Sequence, residues 1–426
     1  MYRRSLLVAI ATLAGCGAPP SSDSERTVGT TAHPGGTRSL DGDALFGLPS
    51  VRRDGNPTLS ARLDLRTADS LDVGLPAKPV WLAGVPDSAG SRWAAVLDDG
   101  RVVGIALAEN GARRFTLRPE RHDGPPLLVA GEDSRVAAPA ALAAHTHPVP
   151  VAGGLSWVRQ DGRLETPGGV AAVDALPDAV PVAGDGRVFV LAEPTESYDH
   201  GVLGDELEAR SVAVVDADSG AIERRLQPPD GTVIEGRSAM LTTLGDDQAI
   251  VVTASDATAG ARLAALGVDG DWQAIGPPVG GGYRWRHQLA VAPFAPNGER
   301  AIAAVKTPHI GGVAEFYRRD GDRLRLAATD AGGYQSHEIG SRNLGGGIAG
   351  RLTGEDRWCL LLPDRMRETL VALVWTGGSG GPVDQPFTLQ LDGALTTNVG
   401  AVDRPGNDEK SVVAAGTDAG VRFWRG

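Results

Sequence analysis

Two cysteines and three methionines in 426 residues, with aromatic residues at only 5%, leave this chain short of the usual means of stapling or bulking a core. With so few cysteines a disulfide framework is excluded. No apolar run approaches the roughly 20 residues that a membrane-crossing helix needs. Runs with helical spacing are almost missing as well, which removes the helical and alternating α/β architectures. Cationic residues are in the minority, 41 Lys and Arg against 53 Asp and Glu, for a formal net charge of −12. Nucleic acid is therefore not an expected partner, because its binding rests on phosphate neutralisation by Lys and Arg. A nucleophile elbow, a phosphate loop, a dinucleotide fingerprint and an H-E-x-x-H zinc helix are all lacking.

What is abundant is glycine, 58 residues, together with 29 prolines. They separate many short segments of alternating or β-branched character. The clearest stretch is 286–350. It holds Leu289–Ala292, Ala301–Val305, Val313–Tyr317 and Leu324–Ala328, with Asn297-Gly298, Gly311-Gly312 and Asp320-Gly321 between them as tight-turn signals. Units like this one recur. Their second strands begin near Arg92, Arg135, Arg187, Gln248, Arg300, Arg357 and Lys410, at spacings of about 43 to 61 residues. The longest interval is filled by an insert at Pro194–Ala209. This pattern predicts an all-β fold, a seven-bladed β-propeller of four-stranded antiparallel blades over residues 58–426. The last unit ends after its third strand, so an N-terminal strand, assigned to Leu59–Leu65, is expected to pair with Val421–Trp424 and close the ring.

The residues ahead of the ring divide in two. Arg3-Arg4 precedes the short apolar run Leu6–Ala14, and Leu13-Ala14-Gly15-Cys16 resembles the lipobox of bacterial lipoproteins. That resemblance implies a signal peptide over 1–16, cleavage before Cys16, lipidation of its thiol, and attachment in the cell envelope. Gly17 after the cysteine implies sorting to the outer membrane, facing the periplasm. Loss of the two arginines takes the net charge to about −14. Residues 17–57, rich in Pro, Ser, Thr and Gly and carrying His33, read as a flexible tether. Cys359, beside Trp358 and Leu360–Leu362, reads as a buried strand thiol.

The blade pattern also resembles bacterial propellers built from FG-GAP or VCBS repeats, in which an acidic turn between the first two strands binds calcium. The corresponding turns here, Pro293–Glu299 and Ala349–Asp356, lack the closely spaced acidic oxygens of such a site, so calcium is not expected in them. The resemblance implies a ligand-binding or adhesive propeller without naming a ligand.

Chemistry must then come from loops. In a four-stranded meander the connections between second and third strands and those between blades emerge at the same end. By this alignment they carry His122, His145, His147, His200, His287, His309 and His337, every histidine outside the tether. The same loops hold Tyr198, Asp199, Arg237, Arg286, Lys306, Asp364 and Arg365. Clustered neutral imidazoles suit a transition metal, and His145-Thr146-His147 sets two on one side of an extended segment. Histidine with arginine suits an anion. Gly280–Gly282 and Gly345–Gly347 are expected near the axis, and Tyr283 and Trp285 on one side of a strand with Arg284 and Arg286 on the other. Three functions follow: a lipid-anchored propeller binding a small ligand, metal ion or partner protein on this face, a metal-dependent lyase or hydrolase using the same histidines, or an assembly scaffold.

Overall fold

The computed structural model describes residues 45–425 apart from 132, 199, 202, 204, 205, 379 and 405–410. Strands and turns make up this region, and no helix occurs among the described residues. Antiparallel pairing groups the strands into seven four-stranded meanders. Blade 1 is Pro79–Asp87, Gly90–Leu97, Arg101–Ala108 and Gly111–Arg121. Blade 2 is Val149–Val151, Gly154–Val158, Leu164–Thr166 and Gly169–Ala171. Blade 3 is Val182–Gly184, Arg187–Thr195, Glu208–Asp216 and Ile222–Leu226. Blade 4 is Met240–Leu244, Asp247–Ser255, Arg262–Gly267 and Gln273–Ile275. Blade 5 is Arg286–Ala292, Ala301–Lys306, Val313–Asp320 and Arg323–Asp330. Blade 6 is Ile348–Arg351, Cys359–Pro363, Thr369–Trp375 and Thr388–Gln390. Blade 7 is Gly400–Val402, Val412–Thr417, Gly420–Arg425 and, from far upstream, Asp69–Gly74.

Apolar wedges join neighbouring blades. Leu324 and Tyr317 of blade 5 share a core with Val251 and Leu263 of blade 4. Phe316 of blade 5 packs with Leu373 and Trp375 of blade 6. Leu82 and Trp93 of blade 1 pack with Val412 and Phe423 of blade 7, so first and last blades meet and the ring is a β-propeller. Each such side chain, fully buried, contributes about 1.5–3 kcal/mol. Cys359 is buried here as a free thiol, and burial pushes its pKa up to about 12.

Two strand assignments from the sequence are corrected. The closing strand is not Leu59–Leu65. Thr58–Arg62 instead runs parallel to the inner strand Ile348–Arg351 of blade 6, with Thr58 opposite Ala349 and Arg62 opposite Arg351. Burial explains the choice. Leu59, Ala61, Leu63 and Leu65 are each 2% exposed or less, as suits a strand wedged between blades, whereas Asp69–Gly74 is largely exposed, as suits an outermost one. The second strand of blade 2 is not at Arg135 but at Gly154–Val158. Arg135–Val136 forms only a two-residue strand with Leu128–Val129 and Phe46–Gly47, because Pro139 has no N–H to continue a ladder.

Residues 45–57 are also part of the fold rather than tether. The Leu45 carbonyl accepts from Ala130, that of Arg53 from Ala183, that of Asp54 from Leu241 and that of Pro57 from Ala349. The Asn56 amide mimics a strand, donating to the Val291 carbonyl and accepting from the Val291 N–H, both at 2.9 Å. Asn398 donates to the Pro49 carbonyl at 3.0 Å. The segment thus crosses the inner strands of blades 1, 3, 4, 5 and 6 and plugs one end of the axial channel. Cys16, His33 and the signal and lipobox residues lie outside the described residues.

Candidate functional site

The plug leaves a cavity of about 120 Å³ at the axis, on the side where the inner strands begin. Its floor is Pro49, Ser50, Gly55 and Pro57. Its wall is built from the starts of inner strands and the loops before them, among them Trp81, His147, Arg237, His287, Gln288, Leu344 and Asn398. Asn398 is spent on structure, since its amide holds Leu82 N–H, Leu82 carbonyl and Pro49 carbonyl together.

The arginines predicted to meet a ligand are engaged elsewhere. Arg237 pairs with Asp178 at 3.0 Å and donates to the carbonyls of His145 and Arg342. Arg342 pairs with the same Asp178 at 3.2 Å. One carboxylate thus joins two cations from loops on different sides of the channel, and a buried guanidinium needs such a partner. Arg286 is 3% exposed and pairs with Glu315 at 2.8 Å, which also holds Lys306 at 3.3 Å and accepts from the Tyr317 hydroxyl at 2.9 Å. Arg286 and Lys306 are therefore internal partners of a buried carboxylate rather than exposed cations. The aromatic and cationic platform expected at 283–286 does not form, because Trp285 and Arg286 are buried while Tyr283 and Arg284 are exposed. Arg365 is exposed on the loop after Cys359–Pro363, beside Asp364, whose N–H donates to Thr369.

Three of the histidines, His287, His309 and His337, come together, and His200 stands beside them on Glu235. His309 Nε2 lies 3.1 Å from His337 Nε2, and His337 Nδ1 lies 3.0 Å from the Ser336 hydroxyl. His287 stacks on Trp285 at 4.8 Å between ring centroids, and His337 meets both edge-on, at 5.0 and 6.1 Å. Burial, with the charges of Arg367 and His200, holds His309 below the usual imidazole range, and the His200 ring itself packs against Tyr283 at 5.7 Å. It donates from Nδ1 to Glu235, a carboxylate 1% exposed that also accepts from the Ser255 hydroxyl at 2.5 Å. Tyr198, with its hydroxyl unpartnered and burial pushing its pKa up, packs against His200 and Tyr283. Asp199 lies outside the described residues.

The other three stand apart. His122 is buried against the Pro125 carbonyl at 3.2 Å, His147 Nδ1 bonds the Pro148 carbonyl at 2.8 Å, and His145 is exposed with a positive φ of 62°. His145 and His147 therefore do not act as a chelating pair, because the turn at His145 turns their side chains to different surroundings. Among the described residues no group of three or more His, Cys, Asp or Glu is placed to hold a metal ion.

Burial sets the protonation of the group. It pulls His147 down to about 4, and His287 to about 3 with help from the charge of His309. His337 is pulled to about 2 by burial and by the charges of His287, His309 and Arg367. At neutral pH these rings are uncharged and offer one N–H and one lone pair each. Sequence reasoning missed Asp178, Glu235, Glu315 and Arg342, acidic and basic loop residues that no motif marks. Gly345 and Gly347 do line the cavity, whereas Gly280–Gly282 pack instead on the turn at Ala257–Gly260.

Neither a family model nor a curated protein sequence matches the chain. Among solved structures it is similar to BamB from Moraxella catarrhalis, at 12% identity and a TM-score of 0.45 over 84% of this chain and 96% of that one. It is similar also to a europium-containing methanol dehydrogenase, at 9% and 0.44 over 89% and 97%. The Dos1 propeller matches at 10% and 0.39 over 86% and 95%. At such values the likenesses carry no argument about what this chain binds or does.

Proposed function

We propose that this propeller is a binding protein of the cell envelope that takes a small ligand at the histidine-bearing end of its axis. The observation that supports the reading is the axial cavity itself, floored by the chain's own residues 49–57 and walled by polar and apolar side chains from several blades. Small molecules are usually seated in concave sites where side chains converge, and at about 120 Å³ this one is below the roughly 300 Å³ of a drug-sized pocket, so its ligand would be very small. Attachment by lipid on Cys16 rests on the Leu13-Ala14-Gly15-Cys16 resemblance. Fatty-acid labelling lost in Cys16→Ser is the expected result, and label retained in the variant would remove the anchor.

The cavity reading is tested by filling it. Gly347 lines the cavity, has ordinary backbone angles, and a Cβ there meets only Leu289 at 3.5 Å or more. Small molecules that raise the unfolding temperature of the wild type should lose that effect in Gly347→Leu. Stabilisation that survives Gly347→Leu would place the binding elsewhere.

A second reading, a hydrolase or lyase, is favoured by the buried Glu235 that orients His200 and by the His309–His337 contact, an arrangement suited to proton transfer. As a metal-dependent reading it needs donors beyond this pair. Metal analysis of untagged protein, before and after incubation with zinc, tests it. No bound metal after incubation would remove the metal reading.

A further inference from the structure

A second cavity, of about 460 Å³, opens at the other end of the inner strands, where those of blades 3 and 4 finish. Its size is usual for a small-molecule site. Plug residues Arg52, Arg53 and Asp54 form one side, and Asp185, Gln248 and Arg300, from or beside blades 3, 4 and 5, form the other. Arg300 is the unusual member. It is partly buried, and donates from Nε to the Thr243 carbonyl at 3.1 Å and from Nη2 to the Thr242 hydroxyl at 3.1 Å and the Val291 carbonyl at 3.2 Å. All three acceptors are neutral. The inward arginines Arg237, Arg342 and Arg286 each face a carboxylate, whereas Arg300 pairs with none among the described residues. Burial lowers its pKa from the ordinary guanidinium value, the charge of Asp54 opposes this and that of Arg52 reinforces it. A shielded cation without a counter-ion is costly. Asp54 does not fill that place, because its oxygens take the Arg52 Nε at 3.3 Å and the Asn56 N–H at 2.9 Å. The Nη1 of Arg300, with two N–H groups, has no partner and stays open to solvent. Exposed Arg53 is bonded only through its carbonyl, which accepts from Ala183.

Apart from the axial cavity discussed above, the geometry points to a second ligand site here, for a small hydroxylated carboxylate of the sugar-acid class, with its carboxylate on Nη1 of Arg300 and Arg53 as the second cation. Charge sets the class. Three guanidinium groups face the carboxylates of Asp54 and Asp185, so one negative charge balances the cavity. The rest of the wall suits a polar body. Gln248 donates from Nε2 to one oxygen of Asp185, and the other oxygen is left to accept from a ligand hydroxyl. Thr242 and Thr243 line the same wall, while Leu241 and Ala183 are its apolar members.

The experiment uses three related probes on the full chain at neutral pH and low salt: glucuronate with one negative charge, glucose with none, and glucose 6-phosphate with two. Titration calorimetry should show glucuronate binding at least about tenfold more tightly than glucose, the margin that one charge-assisted hydrogen bond supplies. Arg300→Gln should abolish that preference. Arg53→Gln, at an exposed side chain, should reduce it severalfold, and it keeps the test decisive if Arg300→Gln disturbs folding, which far-ultraviolet circular dichroism checks. Gly347→Leu, in the axial cavity, should leave it unchanged. Glucose equal to glucuronate, or no binding of glucuronate, overturns the anion site and leaves the axial-cavity reading standing. Glucose 6-phosphate tighter than glucuronate overturns the singly charged class. Glucuronate binding that persists in both arginine variants, or is lost in Gly347→Leu, lies elsewhere and overturns the proposal.

Discussion

At the scale of single residues the histidine-bearing end combines two kinds of buried polar group. Some are satisfied and hold structure; others are left with capacity. Glu235 belongs to the first kind, 1% exposed and bonded to His200 and Ser255. Replacing it by Ala strands both partners, and a loss of about 1–3 kcal/mol in urea unfolding is expected. His147 predicts a dependence on pH. Its folded pKa, about 4, lies below the ordinary value of 6.5, so its contribution is full above pH 6.5 and is lost as pH falls towards 4. The slope for one such group is at most about 1.4 kcal/mol per pH unit. The urea midpoint should therefore fall between pH 7.5 and pH 5, and His147→Leu should flatten that fall. A midpoint equally steep in the variant would assign the slope to other groups.

At the scale of elements, the plug at residues 45–57 is the part that sequence reasoning handled least well. Its composition of Pro, Arg, Asp, Gly and Asn reads as linker because it contains no periodic apolar face. Its stability comes instead from backbone and amide hydrogen bonds to strands distant in sequence, which no local pattern reveals. Asn56→Ala should cost about 1–3 kcal/mol, because it leaves the N–H of Val291 unmatched in a buried position and its carbonyl with Arg300 alone as donor, at 3.2 Å. Gly47 is a second test. A Cβ there would lie 2.4 Å from the Gly84 carbonyl oxygen of blade 1, so Gly47→Ala should loosen the first residues of the plug. Faster amide hydrogen exchange at Ala130 and Val129, with blades 4 and 5 unchanged, is the expected signature. By contrast blade 5 was fully legible. Asn297-Gly298 and Asp320-Gly321 marked its turns, and Gly298 and Gly321 adopt the positive φ, 78° and 61°, that those turns need.

Over the whole molecule the ring depends on one long-range pairing, Asp69–Gly74 on Gly420–Arg425, fastened by Arg422 to Asp72 at 2.6 Å and to Asp392 at 2.7 Å. That a strand from the N-terminal side must close the last blade was readable from the three-strand ending of the chain. Which strand does so was not, because Leu59–Leu65 and Asp69–Gly74 both alternate and only burial between blades separates them. Likewise six second strands were readable, while blade 2 was masked by the proline-rich stretch before it. Val73→Pro should test the closure. It removes an N–H from the outermost strand, where Val73 lies opposite Val421, and should lower the unfolding midpoint; an unchanged midpoint would show that the ring does not depend on this pairing.

The order of these attachments along the chain also fixes a load path. A pull applied upstream of Leu45 reaches the strand at Phe46–Gly47 first, then the bond of Pro49 to Asn398, the contacts of Arg53, Asp54 and Asn56 with blades 3, 4 and 5 in turn, and the parallel pairing at Thr58–Arg62 after them. Only when all of these have yielded does tension arrive at the closing strand. The plug therefore works as a strain relief, dividing a pull among several blades along the axis before it can unzip the ring at its seam.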